Sequence, residues 1–166
     1  MKKLLLLLLF IPLMSFGQIT YKDIMSIKSE NTFKKVVIEN GYEFDNDKDD
    51  VVWYGWNIAK DSVEGNKSSK WASYNKLTGA FKFQLSRTNP IADFLNYEND
   101  TSKNAYDLIV ADIKEKCKYY TIINYKGIDH VSYSCSESSY KGKIAFVIDE
   151  GWGVIRHFPP YTPTQD

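Results

Sequence analysis

The sequence predicts an α+β fold, an antiparallel sheet of about six to seven strands with one helix from each half of the chain packed on it. Three observations carry that prediction. Tyr106, Ile109, Val110, Ile113, Cys117 and Tyr120 recur at helical spacing, while Asp107, Asp112, Lys114, Glu115 and Lys116 fill the other faces of the same helix. Downstream, Val131, Tyr133 and Cys135 alternate with His130, Ser132 and Ser134, and the runs Ile144, Phe146, Ile148 and Trp152, Val154 repeat the period-two signal of half-buried strands. Finally, Leu77-Thr78-Gly79, Tyr125-Lys126-Gly127 and Asp149-Glu150-Gly151 stand between such runs, where a type I turn followed by a left-handed glycine closes a hairpin.

Taken in order, residues 1–17 read as a signal peptide: Lys2 and Lys3 precede an apolar run, and Ser15 and Gly17 are small residues at a cleavage position. The mature part should begin at Gln18 and form one α+β domain over 18–158. Ile24 and Ile27 belong to a first helical turn. Ser29 or Asn31 then caps a helix that turns Phe33, Val36 and Val37 inward and stops at Gly41. Residues 42–44 begin a strand, and the acidic run 45–50 is expected to be a solvated turn or loop, since so many acids and amides are not buried unpaired.

Strand 51–58 is unusual because large apolar groups fall on both faces: Val51 and Trp53 on one, Val52, Tyr54, Trp56 and Ile58 on the other. A polar loop follows, then a hairpin from 71–75 and 80–86 with Phe81, Phe83 and Leu85 inward and Lys82, Gln84 and Ser86 toward water. Residues 89–101 link the halves, Thr101 or Ser102 caps the long helix, and the proline-rich segment 159–166 is a tail. The order, helix then strands in 19–88 and again in 102–158, reads as a pseudo-repeat, although residue identity between the halves is poor.

Cys117 and Cys135 are an even pair in an exported chain, so a disulfide is expected. A three-residue turn that pairs Asn124 with Ile128 sets the two cysteines opposite each other. Cleavage after Gly17 takes the basic count from 21 to 19 against 21 acidic residues, a formal charge of −2, which argues against nucleic acid as a partner. Nothing in the mature chain approaches the roughly 20 apolar residues of a transmembrane helix. The periplasm or the medium is the expected location.

Catalytic and metal chemistry find weak support. Asp45, Asp47 and Asp49 match the first ligands of a calcium loop, but Asp50 stands where glycine is needed and Trp56 where glutamate is needed, leaving only an irregular site. Cys117 falls at a helix C-terminus, the wrong end for a thiolate. Ser132, Ser134, His130 and His157 lack a nucleophile elbow. No phosphate loop or dinucleotide fingerprint is present, so no cofactor and no catalytic residue is expected. The remaining candidates are the aromatics Trp53, Tyr54, Trp56 and Trp71, flat surfaces suited to a protein, peptide or glycan, with Tyr54 and Trp56 as the platform if their face of the strand is open. The expected function is a non-catalytic binding module. The alternatives are a small secreted hydrolase using carboxylates and a structural partner in an envelope assembly.

Overall fold

A computed structural model describes residues 18–60, 63, 65–87, 104–137 and 142–160. The expected signal peptide at 1–17, the linker 89–101 and, apart from Pro159 and Pro160, the tail lie outside these residues. Along the chain run α1 (Tyr21–Ser26), α2 (Glu30–Glu39), β1 (Tyr42–Lys48), β2 (Val51–Trp56), β3 (Lys70–Asn75) and β4 (Phe81–Ser86). Then come α3 (Ala105–Lys116), β5 (Lys118–Tyr125), β6 (Ile128–Ser134), β7 (Lys143–Asp149) and β8 (Trp152–Phe158). The eight strands form one antiparallel sheet in the order β1-β2-β3-β4-β8-β7-β6-β5. Two helices precede the four-strand meander of the first half and one precedes that of the second, and the halves meet where β4 pairs with β8.

The helices start where side chains satisfy their first amides. Thr20 and Asp23 form a capping box at α1, and Ser29 and Thr32 do so at α2. Asn104 caps α3 by accepting from the Asp107 N–H at 3.0 Å; Thr101 and Ser102, the expected caps, lie outside the described residues. The long helix is shorter than its apolar stripe suggested. It ends at Lys116, Cys117 is already extended, and Tyr120 belongs to β5.

Helices α2 and α3 pack on one face of the sheet, and α1 packs against both helices and adds to the same core. Phe33 of α2 is fully buried, its ring centroid 5.4 Å from Tyr74, 5.8 Å from Phe83 and 6.0 Å from Tyr54. Tyr106 of α3 lies against β8 so closely that a Cβ on Gly153 would stand 2.3 Å from its ring. That glycine sets the helix-to-sheet distance in the second half.

Turn chemistry departs from expectation. Three hairpins close through two residues, each pair at positive φ: Asp49-Asp50, Lys126-Gly127 and Glu150-Gly151. Such mirror-image turns match the twist of the strands they join. The acidic run is accordingly not a loop; residues 45–48 continue edge strand β1 past a bulge between Phe44 and Asn46. In the β5–β6 hairpin Tyr125, rather than Asn124, pairs with Ile128. A bulge between Tyr119 and Thr121 then restores the offset, so that Lys118 faces Ser134 and Cys117 and Cys135 form the expected disulfide, with their Cα atoms 4.5 Å apart. Among the described residues no helix is long and apolar enough to cross a membrane.

Candidate functional site

Register decides which side chains face away from the helices. In β2, Val52 and Tyr54 pair with Asp47 and Phe44 on one side and Tyr74 and Ala72 on the other, and they point into the core. The opposite face carries Val51, Trp53 and Gly55, then Asn75, Ser73 and Trp71 of β3. It continues through Lys82 and Gln84 of β4 to Arg156 and Val154 of β8. No helix among the described residues covers this face.

The four aromatic candidates are thus split. Trp53 and Trp71 are half-buried on the open face, and the Trp71 ring lies over Gly55, where an added Cβ would meet it at 3.0 Å. Tyr54 is 5% exposed and belongs to the core. Trp56 packs against the core from the helix side, with the Lys70 ammonium 4.5 Å from its ring. The open platform on this strand is the Trp53 side, and Tyr54 and Trp56 are turned away from it.

A cleft of about 530 Å³ opens on the same face. One wall is Val51, Trp53, Ser73 and Asn75 from β2 and β3; another is Arg156, Phe158 and Pro159 at the end of β8. Lys82 lies on the floor, and Tyr125 and Lys126 reach the cleft from the β5–β6 turn. Aromatic contacts hold that turn in place: Tyr125 meets Phe158 at 5.6 Å and His130 at 6.2 Å. The contacts bury His130, and Ser132 of the same strand face is buried too. Ser132 donates to the Thr121 carbonyl at 2.5 Å, which accounts for its burial.

The cleft is cationic. Lys82 and Arg156 stand directly opposite each other on β4 and β8. The Lys82 ammonium lies 4.8 Å from the Trp53 ring centroid and donates to Gln84 Oε1 at 3.3 Å; the Arg156 guanidinium lies 4.3 Å from the Tyr125 ring centroid. Burial, reinforced by the Arg156 charge, pulls the Lys82 amine down to about 8, with Asp149 partly opposing. Burial also lowers Arg156. Among the described residues no Asp or Glu lines the cleft.

Other candidate chemistry is engaged elsewhere. Asp45 accepts from the Asn46 and Asn66 amides, Asp47 holds the Lys76 ammonium at 2.7 Å, and Asp49 is in the β1–β2 turn. Among the described residues no three His, Cys, Asp or Glu side chains gather as a metal set. Both cysteines are bridged, and His157 is buried with its ring stacked 4.8 Å from Phe81.

Sequence reasoning singled out neither Lys82 nor Arg156 as a site. A signal for the second was present: Arg156 is one of two arginines in the chain and interrupts the apolar run Val154-Ile155 in the middle of a strand. Lys82 carried no such mark, since its alternation is that of an ordinary solvated position. The chain matches no family model, no curated protein and no solved structure.

Proposed function

We propose that the mature chain is an exported, non-catalytic binding module for a protein, peptide or glycan, and that it makes contact through the sheet face opposite the helices. The observation that carries this reading is the cleft of about 530 Å³ on that face, where Trp53 stands beside half-buried cations and Trp71 extends the aromatic surface along β3. Half-buried aromatics give large apolar area at small entropic cost on binding. Export rests on the signal-peptide pattern of residues 1–17, and the disulfide is compatible with an oxidising compartment. A carboxylate hydrolase draws no support from the cleft, whose charged lining among the described residues is cationic.

The test uses purified residues 18–166 on arrays of synthetic peptides and glycans, beside Trp53→Ala, Trp71→Ala and, as a control in the polar loop, Val63→Ser. A ligand that loses roughly tenfold or more in affinity with either tryptophan variant, but not with the control, supports the reading. Ligands indifferent to both tryptophan variants overturn it.

One observation favours the structural-partner reading as a second choice. Edge strand β5 exposes Tyr119, Tyr120 and Ile122, and Lys118 is its only charged residue, a composition that leaves an edge open to strand addition. Concentration-dependent sedimentation that Ile122→Lys abolishes supports that choice, and a monomer at all concentrations removes self-pairing from it.

A further inference from the structure

Resting on that reading of the open face, we infer that the cleft is an oxyanion site, taking a ligand whose carboxylate or phosphate group sits between Lys82 and Arg156. The argument begins with register. Lys82 and Arg156 are directly opposite across the β4–β8 seam, and like charges in that relation destabilise a sheet. Both are also half-buried, so each has lost part of its hydration. A structural role would call for an acid between them, yet among the described residues neither cation has a carboxylate within ion-pair distance. Asp149, the acid whose field reaches both, pairs with Trp152 at the far end of the β7–β8 ladder.

What surrounds the two cations suits an anionic ligand. Each lies over an aromatic ring, Trp53 or Tyr125, a contact that tolerates a cation without neutralising it. Arg156 Nε is buried with no hydrogen-bond partner among the described residues, and buried donors are ordinarily paired. Lys126 adds a third cation where the β5–β6 turn reaches the cleft, and Ser73 and Asn75 add polar groups to the wall. A planar guanidinium fork beside an ammonium is suited to the two oxygens of a carboxylate or of a phosphate. At about 530 Å³ the cleft falls in the size range of small-ligand sites. The rings beside the cations favour an oxyanion attached to a flat apolar group over a bare ion.

The test titrates residues 18–166 with benzoate, phenyl phosphate and neutral benzamide, following the Trp53 indole N–H by nuclear magnetic resonance. A saturable shift with benzoate or phenyl phosphate, absent with benzamide at the same concentration, is expected, and the anion that shifts the signal names the source of the oxyanion. Lys82→Met and Arg156→Leu should each weaken that binding by roughly tenfold or more, the loss expected for one charge-assisted bond. Should Arg156→Leu fail to fold, Lys82→Met and Lys126→Ala decide the matter. Absence of saturable anion binding, equal binding of benzamide, or anion binding unchanged in the folded variants overturns the inference. In those cases an array ligand dependent on Trp53 and Trp71 leaves the broader reading of the face intact. Anion binding without any such ligand keeps the oxyanion site and removes the macromolecular reading.

Discussion

Replacing Lys82 by methionine should stabilise the unliganded protein, and the size of the gain follows from the charge it removes. Lowering an amine from 10.5 to about 8 on folding corresponds to about 3 kcal/mol at ~1.4 kcal/mol per tenfold change in proton affinity. The side chain keeps some contact with water, so solvent screening reduces this to ~1–2 kcal/mol. Methionine preserves most of the packed stem but forfeits the contact with Trp53 at 4.8 Å, worth ~0.5–1 kcal/mol, and a long hydrogen bond to Gln84 worth less. The net expectation is a gain of ~0.5–1 kcal/mol at neutral pH, read as a higher urea midpoint at unchanged slope.

The same residue fixes the sign of a pH dependence. Because the folded state binds the Lys82 proton less tightly than the unfolded chain, the penalty is complete below about pH 8 and is titrated away as pH rises toward 10.5. Wild-type stability should therefore climb relative to Lys82→Met between about pH 8 and about pH 10.5, closing the gap. Buried tyrosines such as Tyr42, whose hydroxyl is raised by burial, lose stability above about pH 10 in both proteins and cancel in the difference. A variant less stable than wild type at neutral pH, or a gap independent of pH, would refute the reasoning.

Three further outcomes are expected. Replacing Cys117 and Cys135 together by serine should cost ~3 kcal/mol, because the bridge spans 18 residues and its loop-closure entropy returns to the unfolded chain; thermal unfolding with and without reductant reads the loss. Gly153→Ala should cost ~1–3 kcal/mol by pushing Tyr106 and α3 off β8, which near-ultraviolet circular dichroism would detect as altered tyrosine packing. Tyr42→Phe should be neutral or slightly stabilising at neutral pH in a denaturant titration, since its buried hydroxyl has no hydrogen-bond partner among the described residues.

How much of this was legible in the sequence depended on the range of the interaction that decides each feature. Phe33, Val36 and Val37, and likewise Tyr106, Ile109, Val110 and Ile113, announce their helices because the burying period is local. The disulfide followed from compartment and parity, and its register held because the bulge between Tyr119 and Thr121 offsets the shorter turn. Residues 45–48 were misread as loop because acids favour turns, whereas on an edge strand one side of the ladder and both side-chain rows reach water. The extent of the long helix was misjudged for a different reason: Tyr120 continues the helical spacing by coincidence, while the bridge and the β5 ladder impose an extended backbone from Cys117 onward. The cleft was least accessible. Trp53, Lys82 and Arg156 become neighbours only through the β2–β3, β3–β4 and β4–β8 registers, and the last joins opposite halves of the chain.

That last register also has consequences for biogenesis. Because β8 lies between β4 and β7, the last of the eight described strands in chain order is an insertion into the centre of the sheet. Until it arrives, the chain offers two separate sub-sheets, β1 to β4 and β5 to β7, each with a bare ladder whose strand carries core residues such as Phe83 or Phe146. Late closure of so distant a pairing slows folding and prolongs the interval in which exposed edges aggregate. A chain truncated before Trp152 would be held in that interval indefinitely and should aggregate.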